Sequence, residues 1–148
     1  MVLSELYASE MLEGVRIYIE CHQGLGDHLI CSGLYRKISE RASSVLIPVR
    51  KMYKSEVERL LFNVPQASII SYPDFYFREM TIANGRILAR ENYEILKLGY
   101  FGRTYLELAD RFDEAFYSQA GVDFKERWRS FDYLRNQRKE EEATTVEA

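Results

Sequence analysis

Val15-Arg16-Ile17-Tyr18-Ile19-Glu20-Cys21-His22-Gln23-Gly24-Leu25-Gly26-Asp27-His28 is the stretch whose reading decides the fold. Its first six residues are a run rich in β-branched and aromatic side chains (Val15, Ile17, Tyr18 and Ile19) that follows Gly14 and leads into a glycine-containing loop, the pattern of a buried strand. A helical pattern starts at once after the loop. Leu29, Ile30, Leu34 and Ile38 recur at helical spacing, with Arg36, Lys37, Glu40 and Arg41 on the other side. Moving outward, Val45–Val49 reads as a second strand. A second helix is expected from Ser55, with Glu58 three residues on as a capping box and Val57, Leu60, Leu61 and Val64 as its stripe. Ala67–Tyr72 is a third strand. Strand, helix, strand, helix, strand at this density predicts an α/β, Rossmann-like open parallel sheet of about four or more strands with flanking helices.

The second half is less regular. Asp74-Phe75-Tyr76-Phe77 suits either a strand or an aromatic loop, and Asn84-Gly85 reads as a turn. Glu94–Leu98 is expected to be a fourth strand, ending in Gly99-Tyr100-Phe101-Gly102. Thr104 then caps a helix whose stripe is Leu108, Ala109, Phe112 and Phe116, with Gly121 as its stop. A last helix is expected near Asp123, with Glu126 completing a capping box and Trp128, Phe131 and Leu134 buried. Residues 1–138 are read as one Rossmann-like domain. Residues 139–148, KEEEATTVEA, are read as a disordered acidic tail.

Composition bounds the function. The 148 residues suit one domain, and 47% hydrophobic with 29% charged residues is ordinary globular usage. Twenty Lys and Arg against 23 Asp and Glu leave a net charge of -3, which argues against a nucleic-acid partner. No apolar run reaches the roughly 20 residues of a membrane span. The N-terminus has no charged segment followed by an apolar one, so no signal peptide is expected. Two cysteines, Cys21 and Cys31, make no disulfide framework, and the expected location is cytoplasmic.

In an open parallel sheet, ligands bind beyond the carboxyl ends of the strands, where strand order reverses. The sharpest local feature there is Gly24-Leu25-Gly26-Asp27-His28. Two glycines give the backbone a tight turn and a close approach to a ligand, and the helix start favours an anion. The dinucleotide fingerprint is incomplete, because its third glycine falls at Leu29 and no acid follows the second strand. Arg50 would suit an NADP phosphate, yet that glycine is still missing. Gly24 and Gly26 also suit a simple βα turn. Asp27 suits either a helix cap or a general base taking a proton from a sugar hydroxyl, and one residue can do both. His28 and His22 are candidates to line the crevice. Arg50, Lys51 and Lys54, and Arg103 after Gly102, suit phosphate or carboxylate groups or a solvated loop. Tyr72, Phe75, Tyr76 and Phe77 suit the core or a sugar-stacking surface. Cys21, His22, His28 and Cys31 match no zinc spacing, so no metal site is expected, and a Cys–His nucleophile rests on sequence adjacency alone.

The segment IYIECHQGLGDHLICSGLYRKIS resembles the opening of GT-B-type glycosyltransferases related to the heptosyltransferases of lipopolysaccharide assembly. The stretch FDEAFYSQAGVDFKERWRSF is similar to a segment of predicted glycosyltransferases that carry the same GLGDH-type loop. The motif-like part is the first 25 or so residues of a likeness spanning roughly 15–135. The resemblance implies an N-terminal, acceptor-binding lobe, with Asp27 as base and Gly24, Gly26, His28 and Arg103 binding substrate. It implies a sugar or glycan acceptor, a nucleotide-sugar donor on another or partner lobe, and neither cofactor nor obligatory metal. A homo-oligomer is one way to complete such a site. The chain stops where a donor lobe would begin, so the expectation is a half that does not turn over alone. The alternative is a stand-alone Rossmann-like module that binds a nucleotide or phosphate without catalysis. A third reading is a structural protein whose glycine loop holds no ligand.

Overall fold

The structure is a computed structural model that describes residues 14–20, 24–99, 111–135, 138 and 140–143. Among the described residues there are four strands: β1 (Arg16–Glu20), β2 (Ser44–Arg50), β3 (Ala67–Tyr72) and β4 (Tyr93–Lys97). They form one sheet in the order β3-β2-β1-β4, and every pairing is parallel. The helices are α1 (Leu25–Ser39), α2 (Lys54–Leu60), α3 (Phe77–Arg90), α4 (Phe112–Ala120) and the single turn α5 (Glu126–Arg129). Short 3-10 turns at Lys51–Tyr53 and Asp74–Tyr76 lead into α2 and α3. The fold is thus an α/β, Rossmann-like open parallel sheet. Among the described residues no helix is long and apolar enough to cross a membrane.

Alternation along the strands divides the sheet into two faces. Ile17, Ile19, Val45, Ile47, Val49, Ile69 and Leu96 fall in one cluster with Cys31, Leu34, Tyr35 and Ile38 of α1, Val57 and Leu60 of α2, and Phe116 and Tyr117 of α4. Burying each aliphatic side chain here contributes about 1.5–3 kcal/mol. The opposite face carries Tyr18 and Tyr72, over which α3 lays Phe77, Thr81 and Gly85. Pro48 has no amide to donate, and it sits where β2 leaves β1. The ladder with β1 stops at Leu46, while the ladder with β3 continues to Arg50.

Glycine explains the largest departure from the sequence reading. Asn84-Gly85 is not a turn; it lies mid-way along α3. A Cβ on Gly85 would run into Glu20 Oε1 and lie 3.2 Å from Tyr18 Cε1, so the missing side chain lets α3 cross β1 closely. Asn84 Nδ2 donates to Tyr72 Oη at 2.8 Å. The turn comes later, at Asn92, with φ 68. Gly33 plays the same part in α1, where a Cβ would meet the backbone carbonyl of Glu126.

Three further expectations are corrected. Ser55 does not cap α2: the chain enters that helix from a 3-10 turn, Tyr53 is the N-cap, and Ser55 Oγ donates to Glu56 Oε2 at 3.1 Å. The last helix is only α5, and Trp128, Phe131 and Leu134 are 62%, 46% and 47% exposed rather than buried. The chain after α5 runs instead along α2, with Leu134 N donating to Arg59 O at 2.9 Å. The Asp74–Phe77 stretch is a 3-10 turn opening α3, not a strand. Gly121 does end α4, in the left-handed conformation at φ 71. Thr104 and the start of its expected helix lie outside the described residues, as do 139 and 144–148 of the tail. Within that tail, Arg138 and Arg135 reach Glu142 and Glu140 at 3.3 and 2.6 Å.

Candidate functional site

The strand order locates the site. From β1 the chain builds outward through β2 to β3, then returns to place β4 on the other flank of β1. Strand order therefore reverses between β1 and β4, and in open parallel sheets ligands bind beyond the carboxyl ends of the strands at such a point. The pairing persists to the rim: Glu20 is in register with Lys97, and Leu98 N donates to Glu20 O at 2.7 Å. Residues 21–23 and 100–110, which follow these two strands, lie outside the described residues. Cys21, His22 and Arg103 are among them.

On the β1 side the chain emerges at Gly24, the N-cap of α1. Asp27 is not the cap residue but the third residue of the helix. Its Oδ2 reaches back to accept the Gly24 N–H at 3.2 Å. The carboxylate thus satisfies one free amide and meets the positive end of the helix dipole. Neither Gly24, at φ -84, nor Gly26 adopts the left-handed conformation, so the turn itself does not demand glycine. Space does not demand it at Gly26 either, which is exposed and where a Cβ would meet nothing within 4 Å. The first turn of α1 is left bare beside a half-buried carboxylate.

His28 points elsewhere. It is fully buried, and its Nδ1 lies 3.0 Å from Tyr35 Oη, two helical turns on. Burial pulls the imidazole down to about 4, so the ring is neutral at physiological pH. Among the described residues its Nε2 has no hydrogen-bond partner. Cys31 is buried in the apolar cluster.

On the β4 side, Gly99 has φ 109, a conformation that favours glycine. The Gln119 side chain of α4 clamps it: Gly99 N donates to Oε1 at 2.7 Å and Nε2 donates to Gly99 O at 2.9 Å. That amide pair fixes where the segment containing Arg103 leaves the sheet. Sequence reading missed Gln119, which no motif marks.

It also missed Glu20, although a signal was present. In Ile17-Tyr18-Ile19-Glu20 the alternation places Glu20 with Tyr18 on the inward-facing α3 side. Glu20 is 8% exposed at the tip of β1. Burial pushes its carboxyl up, against the pull of Lys97 and Arg86. Tyr18 Oη donates to Thr81 O at 2.8 Å on the same face.

The basic cluster after β2 is dispersed. Arg50 Nη1 donates to Asp74 O at 3.4 Å, Lys51 is exposed, and Lys54 faces Glu58 at 3.8 Å. The aromatic group divides: Tyr72 and Phe77 are buried with ring centroids 6.1 Å apart, while Phe75 and Tyr76 are exposed. A groove of about 460 Å³ lies at the opposite edge, lined among others by Arg36, Lys37, Asn63 and Arg129. Much of its polarity is spent internally. Arg36 donates to Asn63 Oδ1 at 2.5 Å and to Leu60 O at 2.6 Å, and Lys37 faces Glu126 at 3.8 Å.

No family model, no curated protein and no solved structure matches the chain. Function is therefore argued from the site itself.

Proposed function

We propose that the chain is the acceptor-binding lobe of a glycosyltransferase, with Asp27 as the base that activates an acceptor hydroxyl. One observation carries the reading: a half-buried carboxylate, held by the Gly24 amide at the switch-point rim, stands beside the bare first turn of α1. As the hydroxyl oxygen bonds to the anomeric carbon, its proton passes to Asp27. The bond to the nucleoside diphosphate breaks, and the leaving group departs with the electron pair. The nucleotide-sugar donor is held by another lobe or a partner chain, and reaction waits until both substrates are aligned. Gly24 and Gly26 shape the acceptor loop, and Arg103, outside the described residues, is the further candidate to bind substrate.

The same observation weighs against a phosphate-binding module. The positive end of α1 already carries its own negative charge in Asp27, and a phosphate there would meet a like charge. A neutral hydroxyl instead finds an acceptor.

Amide NMR on the chain tests this, titrating NAD, NADP, nucleotide sugars, and plain and phosphorylated oligosaccharides. Saccharides are expected to shift residues 24–28 while dinucleotides leave them unmoved, and Asp27→Asn should abolish those shifts. Binding of NADP or a free nucleotide at this turn would replace the reading with the nucleotide module.

A further inference from the structure

Phe75 is the most exposed large apolar residue among those described, at 82%. Tyr76 beside it is 57% exposed, and Met52, in the 3-10 turn after β2, is 60% exposed. Their turns do not dangle. The turn after β3 is held at both ends by buried rings, Tyr72 and Phe77, and Arg50 ties it to the end of β2 through Asp74 O. Because β2 and β3 stay in register to Arg50 and Tyr72, the two turns leave the sheet side by side. Phe75 and Tyr76 pack edge to face with centroids 4.6 Å apart, which fixes both rings. An aromatic pair is thus displayed to solvent on a braced support, although its exposure is unfavourable.

Three other exposed aromatics differ. Trp128 packs against Phe124 at 5.0 Å, Phe62 lies under the Arg36 guanidinium at 6.0 Å, and Phe112 stacks on buried Phe116 at 5.8 Å. The ring that Phe75 meets, Tyr76, is itself 57% exposed.

We propose that these turns form a ring-stacking subsite for a neutral oligosaccharide, with Phe75 as its platform. The inference rests on the acceptor reading of Asp27 and names the acceptor's class. Charge decides between occupants. Residues 50–58 and 73–79 carry four cations and four carboxylates, so the patch has no excess charge to draw a nucleic acid or an anionic membrane. A sugar ring suits it: the C–H face meets the negative face of the aromatic ring, and hydroxyls meet exposed Asp74. Position agrees as well. Phe75 follows the carboxyl end of β3, and Asp27 lies beyond the carboxyl end of β1, so both are at the same edge of the sheet.

The test is NMR of the chain with cellotriose, chitotriose and maltotriose, comparing wild type, Phe75→Ala and Asp27→Asn. At least one trisaccharide is expected to shift residues 74–76. Phe75→Ala, at an exposed position, should keep the fold and weaken binding about tenfold. Asp27→Asn should leave the shifts at 74–76 in place. Shifts at 74–76 with none at 24–27 would uphold the platform and remove the base. Shifts at 24–27 with unchanged affinity in Phe75→Ala would overturn the platform and keep the base. Silence at 74–76 toward all three sugars overturns it. So does perturbation of these residues by oligothymidine or phosphatidylserine vesicles alone.

Discussion

The two faces of the sheet are built on different principles. Under α1 and α2 the strands present Ile17, Ile19, Val45, Ile47 and Val49, all fully buried and aliphatic. Under α3 they present Tyr18, Tyr72 and Glu20, linked by hydrogen bonds to Thr81 O and Asn84 and fitted around Gly85. The first face is held by area removed from water, which is indifferent to pH and tolerant of small shifts in packing. The second depends on paired polar groups in a confined space, where each partner is costly to lose and charge matters. The strands therefore keep one aliphatic face as a scaffold and carry their own polar groups on the other, while α1 brings a buried titratable group, His28, to the first.

The largest effect that separates the faces is a cavity. Ile47→Ala should lower unfolding free energy by about 2–5 kcal/mol, equally at pH 5 and pH 8, as read from urea midpoints. A pH-dependent loss for this variant would break the contrast.

Next come the buried ionisable groups, which titrate in opposite senses. His28, at the start of α1, is held neutral in the fold, with its pKa near 4 against an ordinary 6.5. As pH falls below 6.5 the unfolded chain takes up the proton first. Stability is lost between about pH 6.5 and 4, by up to about 3 kcal/mol. Glu20 is raised by burial, so its ionised form is disfavoured at neutral pH and that cost is relieved as pH falls. Urea midpoints from pH 4 to 8 should therefore fall less steeply in His28→Gln than in wild type. In Glu20→Gln the midpoint should rise at pH 7, with the gain shrinking toward acid. Parallel curves for all three proteins would remove the distinction.

The smallest effect is the sharpest test of the α3 face. Gly85→Ala should gain helix propensity but press on Glu20 and Tyr18, whereas in a Glu20→Ala background the pressure on Glu20 is gone and the 3.2 Å contact with Tyr18 stays. A double-mutant cycle should show coupling of about 1 kcal/mol. Additive changes would mean that the close approach at Gly85 does not constrain Glu20.

The α/β framework was legible because β1, α1, β2 and β3 carry local signals: β-branched runs, helical spacing and a glycine loop. Where the signal is non-local, reading failed. Asn84-Gly85 has turn chemistry, yet packing against β1 overrides it, and only the partner strand reveals why glycine is there. Trp128, Phe131 and Leu134 look like a stripe, but the chain leaves α5 after one turn and carries them along α2 in the open. That Asp27 stands at the start of α1 was legible from its place after Gly26, and its position as third residue rather than cap was a matter of one helical turn. His28 was not, since nothing local tells a crevice histidine from one folded back on Tyr35. Gln119 acts from a helix distant in sequence, and Arg103 lies outside the described residues.

The pairing of β4 with β1 also bears on how the chain is made. Synthesis delivers β1, β2 and β3 in order, and these can assemble while β4 is still within the ribosome. During that interval the flank of Ile17-Tyr18-Ile19 that will receive β4 is an unpaired edge of apolar residues, open to pairing with another nascent chain. Emergence of Tyr93–Lys97 closes it. Among the described residues the border is then β4, with exposed Glu94 and Lys97, charges that discourage pairing by a strand from a neighbour. The same reversal of strand order thus makes β4 the strand that ends a vulnerable period in the life of the newborn polypeptide.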